Sequence, residues 1–261
     1  MYNLKKKYGD WALVTGASSG IGEEFARVLA SEHINLILTA RRIEKLNTLA
    51  DTLQKEYPVN IITVKADLSD DNFINDIISF TSGLNVGILI NNAGAGTFTE
   101  FDKSNFDKVL KMLRLNCAAP VILTHHFIQK MAGNKKGAVI FVGSIAGALP
   151  NPYMSVYSAS KAFNNVLGPA LWYDQKHNNI DILTIAPGGT RTEFHEKADI
   201  KKGPFIRSSK NVVHTAFRTL GKKPFVVDGF INKSMYVLSR ILPMKMLMIL
   251  AGGFSQKRKK V

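Results

Sequence analysis

Tyr157 and Lys161, in the run Tyr157-Ser158-Ala159-Ser160-Lys161, are residue types that together can move a proton, and Ser144 lies thirteen residues upstream. Four positions apart, a phenol and an ammonium share one face of a helix. An ammonium held beside a phenol stabilises the phenolate, drawing its pKa down from about 10 towards neutrality. A phenol tuned this way gives a proton to a carbonyl oxygen or takes one from an alcohol. The same spacing also fits an ordinary helix with a tyrosine on its buried edge and a solvated lysine. The surrounding elements decide between the two.

Those elements alternate. Trp11–Thr15, Asn35–Thr39, Asn60–Lys65, Val86–Ile90, Ala138–Val142 and Asp181–Ile185 read as short buried strands. Helical patterns lie between them at Ile21–Ser31, Ile43–Tyr57, Asn72–Phe80, Asn105–Met131 and Val156–His177. Continuously apolar strands alternating with helices predict a parallel sheet covered on both faces. The expected fold is α/β, a parallel sheet with helices on both faces in a single domain spanning residues 1–261. Ser144 follows the fifth strand, which puts its hydroxyl at a strand's carboxyl end, facing the crevice where ligands bind in such sheets.

The first strand runs into Thr15-Gly16-Ala17-Ser18-Ser19-Gly20-Ile21-Gly22, and a helix follows. Glycines let the backbone turn tightly and approach a pyrophosphate, which then sits at the positive end of the helix. A fold of this kind that selects NAD places an acid after the second strand to hold the ribose 2′-hydroxyl. Here that strand ends at Ala40-Arg41-Arg42, and arginine suits a 2′-phosphate through charge-assisted hydrogen bonds. NADP(H) is the expected cofactor, with Arg41 as the contact and Arg42 as the solvated start of a helix.

The loop Thr15–Gly22, then Asn91-Asn92-Ala93-Gly94, Asn116, Ser144, Tyr157, Lys161 and Pro187-Gly188, resembles the short-chain dehydrogenase/reductase family in order and spacing over about residues 8–195. The resemblance implies a three-layer, Rossmann-like, doubly wound sheet of seven mainly parallel strands, completed by Pro224–Val227, with its core at about 8–195 and 207–230. It also implies site roles. Gly16, Ser18, Ser19, Gly20, Ile21 and Gly22 would cradle the cofactor phosphates, Asp67 and Leu68 would contact adenine, and Asn92, Ala93 and Gly94 would line its ribose. Pro187, Gly188, Thr190 and Thr192 would pass the nicotinamide. Asn116, Ser144, Tyr157 and Lys161 would be the catalytic set, Lys161 also holding the nicotinamide ribose and Asn116 positioning a relay water. A homodimer or homotetramer, packed through Asn105–Met131 and Val156–His177, is implied too.

Composition narrows the class. At 261 residues, 46% apolar and 21% charged, the chain is an ordinary globular protein. One cysteine, Cys117, excludes an internal disulfide and leaves no thiolate cluster. No metal site is expected, and a reducing, cytoplasmic setting is. The start lacks an apolar run of the signal-peptide kind. The net charge of +14 sits almost wholly in residues 197–261, which hold 15 Lys/Arg against Asp199 and Asp228. That asymmetry suits an anionic partner such as phospholipid or an acidic carrier protein, or else a solvated basic surface. No interleaving of aromatic and basic residues points to nucleic acid.

Two late segments stay open. Residues 193–209, with Phe194, Phe205 and Ile206 among lysines, read as a substrate lid with an apolar underside. Residues 232–261 contain an apolar, methionine-rich run before Lys257-Arg258-Lys259-Lys260. This tail fits a helix docked on the core, a peripheral membrane contact, a cover for a lipophilic substrate, or a subunit interface. The expected activity is NADPH-dependent reduction of a lipophilic ketone, aldehyde or 3-ketoacyl chain. The alternative is a non-catalytic NADP-binding regulatory or scaffold protein on the same fold.

Overall fold

The computed structural model describes residues 2–194, 198 and 206–256. Its centre is a sheet of seven strands, β1 (Trp11–Thr15), β2 (Asn35–Ala40), β3 (Ile61–Lys65), β4 (Val86–Asn91), β5 (Gly137–Val142), β6 (Ile180–Ala186) and β7 (Phe225–Val227). They lie in the order β3-β2-β1-β4-β5-β6-β7, and every pairing is parallel. The order reverses between β1 and β4, so the carboxyl ends of these strands open a crevice.

Alternation along each strand explains the unbroken apolar runs. Ala12, Val14, Leu36, Leu38, Ile88 and Ile90 pack on one face, with Phe25 and Leu29 of α2 (Gly20–Ser31) and Leu46 and Leu53 of α3 (Ile43–Glu56). Leu13, Ile37, Leu89, Val139 and Phe141 pack on the other, with Phe73 and Ile77 of α4 (Phe73–Thr81) and Leu123 and Phe127 of α6 (Ala119–Gly133). Both faces are dry, which is why neither could be polar.

The remaining α-helices among the described residues are α1 (Leu4–Tyr8), α5 (Phe106–Leu113), α7 (Ser155–Asp174), α8 (Ser209–Thr219), α9 (Phe230–Ile241) and α10 (Met244–Gln256). The long helix expected over Asn105–Met131 is divided. Between α5 and α6 the chain widens into one π turn, Arg114–Ala118, which contains Asn116. Most of the expected lid, residues 195–197 and 199–205, and the basic end 257–261 lie outside the described residues. The tail forms α9 and α10, docked through buried Asn232, Leu247 and Ser255 while leaving large apolar side chains on the surface. Among the described residues no helix is long and apolar enough to cross a membrane.

Candidate active site

Three buried side chains converge at the carboxyl end of β5. Ser144 follows the strand after Gly143; its hydroxyl hydrogen-bonds the Tyr157 phenol and also accepts from the Ala146 amide at 3.1 Å. Tyr157 and Lys161 lie one turn apart on α7, both less than a tenth exposed. Asn165, a turn further along α7, clasps the backbone of Ser144: its amide donates to the Ser144 carbonyl at 2.9 Å, and its Oδ1 accepts from the Ser144 amide at 3.4 Å. The serine is therefore set by the same helix that carries the tyrosine.

The electrostatics differ from the expectation that the lysine would draw the phenol down. Burial pushes Tyr157 up to about 12, the Ser144 hydrogen bond opposing it. Burial also drives Lys161 down to about 8, because a dry pocket disfavours the charged form of either group. The Lys161 ammonium donates to the Val142 carbonyl at 2.9 Å.

The π turn delivers Asn116. Its Oδ1 accepts from the Ala95 amide and its Nδ2 donates to the Ala95 carbonyl and to Ser160 Oγ, each at 2.9 Å. Its main-chain carbonyl, which has no ladder donor because Pro120 four residues on lacks an N–H, accepts from Asn164 Nδ2 at 2.8 Å. A Cβ on Gly94 would lie 3.2 Å from Lys161 Nζ and 3.3 Å from Asn116 Oδ1, so β4's end, the π turn and α7 meet at one point.

Beside these groups lies a cradle. A Cβ on Gly16 would stand 2.9 Å from Asn92 Nδ2 and from Ala93 Cα, and Gly16 has a φ of 66°, favourable only to glycine. A Cβ on Gly22 would meet the Gly16 carbonyl at 2.4 Å. Asn92 closes this turn, donating to the Thr15 carbonyl at 2.8 Å, while Thr15 Oγ1 accepts from the Asn92 and Ala93 amides. Helix α2 starts at Gly20, and the Ser19 side chain does not cap it. Its first-turn amides are left for an anion.

The arginines are placed in the opposite way to the sequence reading. Arg41 is 69% exposed and lies 3.8 Å from Asp67. Arg42 turns inward, its Nη2 donating to Ser18 Oγ and Ser19 Oγ at 3.0 Å each. Asp67 also accepts from the Ser69 amide and hydroxyl. Burial raises its pKa, but these bonds and Arg41 outweigh that and hold it below the usual carboxylate range. Leu68 and Thr190 are buried, and Ile21 is partly so. Pro187 accepts from the Ile145 amide, Gly188 lies close against Asn232, and Thr192 packs on Gly20.

These features are those of a family. A family model described as short chain dehydrogenase matches residues 10–203, about three quarters of the sequence. The chain belongs to the short-chain dehydrogenase family. A 7beta-hydroxysteroid dehydrogenase of Mediterraneibacter gnavus is 30% identical over 238 residues, covering 88% of this chain and 90% of its relative. A very-long-chain 3-oxoacyl-CoA reductase of Mus musculus is 28% identical over 255 residues, covering 96% and 81%. The solved short-chain dehydrogenase of Sphingobium yanoikuyae, in complex with NADPH, superposes with a TM-score of 0.79 at 27% identity, covering 90% of this chain and 96% of that one.

Within this short-chain dehydrogenase, two side chains near the site escaped the sequence reading, and two more, Glu193 and Phe194, fall in the expected lid segment. Asn164 and Asn165 carried no motif, since their function is to bond backbone brought close by folding. Glu193 bridges Arg42 and Lys45 at 2.8 Å each. Phe194 lies against the Tyr157 ring, centroids 5.4 Å apart. Among the described residues no group of three His, Cys, Asp or Glu side chains could hold a metal ion.

Proposed function

We propose that the protein is an NADP(H)-dependent carbonyl reductase, reversible to alcohol oxidation, acting on a lipophilic ketone. The observation that carries this reading is the convergence of Ser144, Tyr157 and Lys161, all buried, beside a glycine cradle that fits a dinucleotide. Ser18, Ser19 and Arg42 would receive the 2′-phosphate, Arg41, Asp67 and Leu68 the adenine side, and Asn92–Gly94 the adenosine ribose. Pro187, Gly188, Thr190 and Thr192 would border the nicotinamide. The NADPH complex of the Sphingobium yanoikuyae relative supports this cofactor.

The bound cofactor would supply the hydride. Ser144 would hold the substrate oxygen by a hydrogen bond while Tyr157 gives it a proton. A phenol whose pKa lies near 12 is fully protonated at neutral pH, ready for the reductive direction. As the proton leaves, the Lys161 ammonium would stabilise the phenolate. Asn116 would hold the loop at Ala95 in register with Lys161, and its turn would organise reprotonation.

Substrate class rests on the relatives, one acting on a steroid and one on a very-long-chain acyl thioester. Phe194 beside Tyr157 suits either. Absorbance of NADPH against a panel of steroid ketones and 3-oxoacyl thioesters of graded length tests the activity. Tyr157→Phe is expected to lower turnover at least a thousandfold while NADPH affinity changes less than threefold; substantial remaining turnover would refute the assignment. Two contacts extend the reading. Exposed Phe106, Leu110, Phe163 and Val166 on α5 and α7 support a homo-oligomer, measurable by light scattering. The apolar surface of α9 and α10 supports a peripheral membrane contact.

A further inference from the structure

The seat prepared for an anion at the end of β2 already holds one. Arg42 Nη1 pairs with Glu193 Oε2 at 2.8 Å, and Lys45 Nζ pairs with Glu193 Oε1 at 2.8 Å. The same guanidinium reaches Ser18 and Ser19 with its other nitrogen. The seat opens on a cleft of about 330 Å³ between α2 and α3 whose lining includes Ser18, Ser19, Lys45 and Glu193. Glu193 does not arrive there as a loose surface side chain. On one side of it Thr192 packs against Gly20 of the phosphate loop, and on the other Phe194 packs against Tyr157. The backbone is thus pinned at both neighbours, and the carboxylate is delivered to the cations.

A carboxylate and a phosphate dianion cannot share one guanidinium without repulsion. We propose that Glu193 is a specificity-determining residue for the cofactor: its carboxylate stands in the place of the 2′-phosphate and must be displaced or pushed aside when a 2′-phosphorylated dinucleotide binds. An unphosphorylated dinucleotide brings no charge to this seat and leaves the Glu193 ion pairs intact. Glu193 therefore narrows the preference for NADP(H) over NAD(H) that Arg42 and Lys45 create. The inference rests on the cofactor placement proposed above, not on the carbonyl chemistry.

Equilibrium binding separates the two. The whole protein, its Glu193→Gln, Arg42→Ala and doubly substituted forms are titrated calorimetrically with 2′,5′-ADP and with 5′-AMP. Glutamine keeps the size of glutamate and removes only the charge. Glu193→Gln is expected to tighten 2′,5′-ADP on the order of fivefold, as loss of one partly exposed ionic competitor implies, while 5′-AMP changes less than twofold. On the Arg42→Ala background most of that gain is expected to vanish. Equal tightening of both nucleotides, weaker 2′,5′-ADP binding in Glu193→Gln, or a gain undiminished without Arg42 would each overturn the proposal. So would failure of every form to bind 2′,5′-ADP. A protein that binds it as expected but reduces no carbonyl would sink the reductase reading and leave this one standing.

Discussion

At the scale of single residues, the site is assembled at a cost in stability. Lys161 is buried and its pKa falls from 10.5 to about 8, so at neutral pH its charge is held in a place that disfavours it. The difference corresponds to roughly 3 kcal/mol. The sign follows from proton counts. Between pH 8 and 10.5 the unfolded chain binds more protons at this lysine than the folded one, so its contribution to stability rises with pH there. Below pH 8 the penalty is complete. Lys161→Met, which fills similar volume without the charge, is therefore expected to raise the melting temperature of the cofactor-free protein at pH 7 and to abolish turnover. The stability gain is expected to shrink as pH rises from 8 to 10.5. Calorimetric melts of both forms across that range check it, and a variant less stable than the parent at pH 7 would show that the ammonium is well solvated.

At the scale of elements, the π turn between α5 and α6 is the feature that the linear pattern hid. Apolar spacing over Asn105–Met131 reads as one helix because a single wide turn shifts the stripe by less than the stripe's own width. The family resemblance singles out Asn116, but not its partner Asn164: Pro120 frees the Asn116 carbonyl, and nothing in the sequence says which side chain donates to it. The arginines show a similar limit. Both arginines precede α3, Arg42 as its N-cap with φ −93° and ψ 85°, so no helical spacing fixes where they point, and only the position of α3 against the phosphate loop decides that Arg42 turns inward. Strands, glycine loop and the Ser144–Tyr157–Lys161 set were legible because each rests on local spacing. Asn164→Leu would leave the Asn116 carbonyl buried without its donor, a loss of about 1–3 kcal/mol. Urea unfolding is expected to report that loss, with turnover falling at least tenfold and NADPH affinity nearly unchanged. Unchanged stability would mean that the π turn holds itself.

At the scale of the whole molecule, charge and apolar surface coincide at one end of the chain. Residues 229–261 contain no Asp or Glu, and Asp228, just before them, is fully buried against Arg207 at 2.6 Å. Phe230 and Ile241 on α9 are 84% and 73% exposed, and Ile249 on α10 is 68% exposed. Lys233, Arg240 and Lys245 stand among them. Apolar surface on helices whose own charged side chains are all cations suits an anionic lipid surface, the apolar groups entering the headgroup region while the lysines meet phosphate. Helix α10 also approaches Pro152, its Gly252 carrying space for a Cβ 3.7 Å from that ring, and Pro152 adjoins the loop that leads into α7. A lipophilic substrate entering there would come from the lipid side. The full chain is expected to co-sediment with vesicles containing phosphatidylglycerol, more weakly with phosphatidylcholine alone, and less as salt rises. Replacing Ile241, Met244 and Ile249 together by serine is expected to weaken vesicle binding about tenfold or more, given the apolar area each would bury, without changing turnover of a water-soluble ketone. If instead the parent ignores vesicles and the triple variant falls from oligomer to monomer in light scattering, the face belongs to a second copy of the chain.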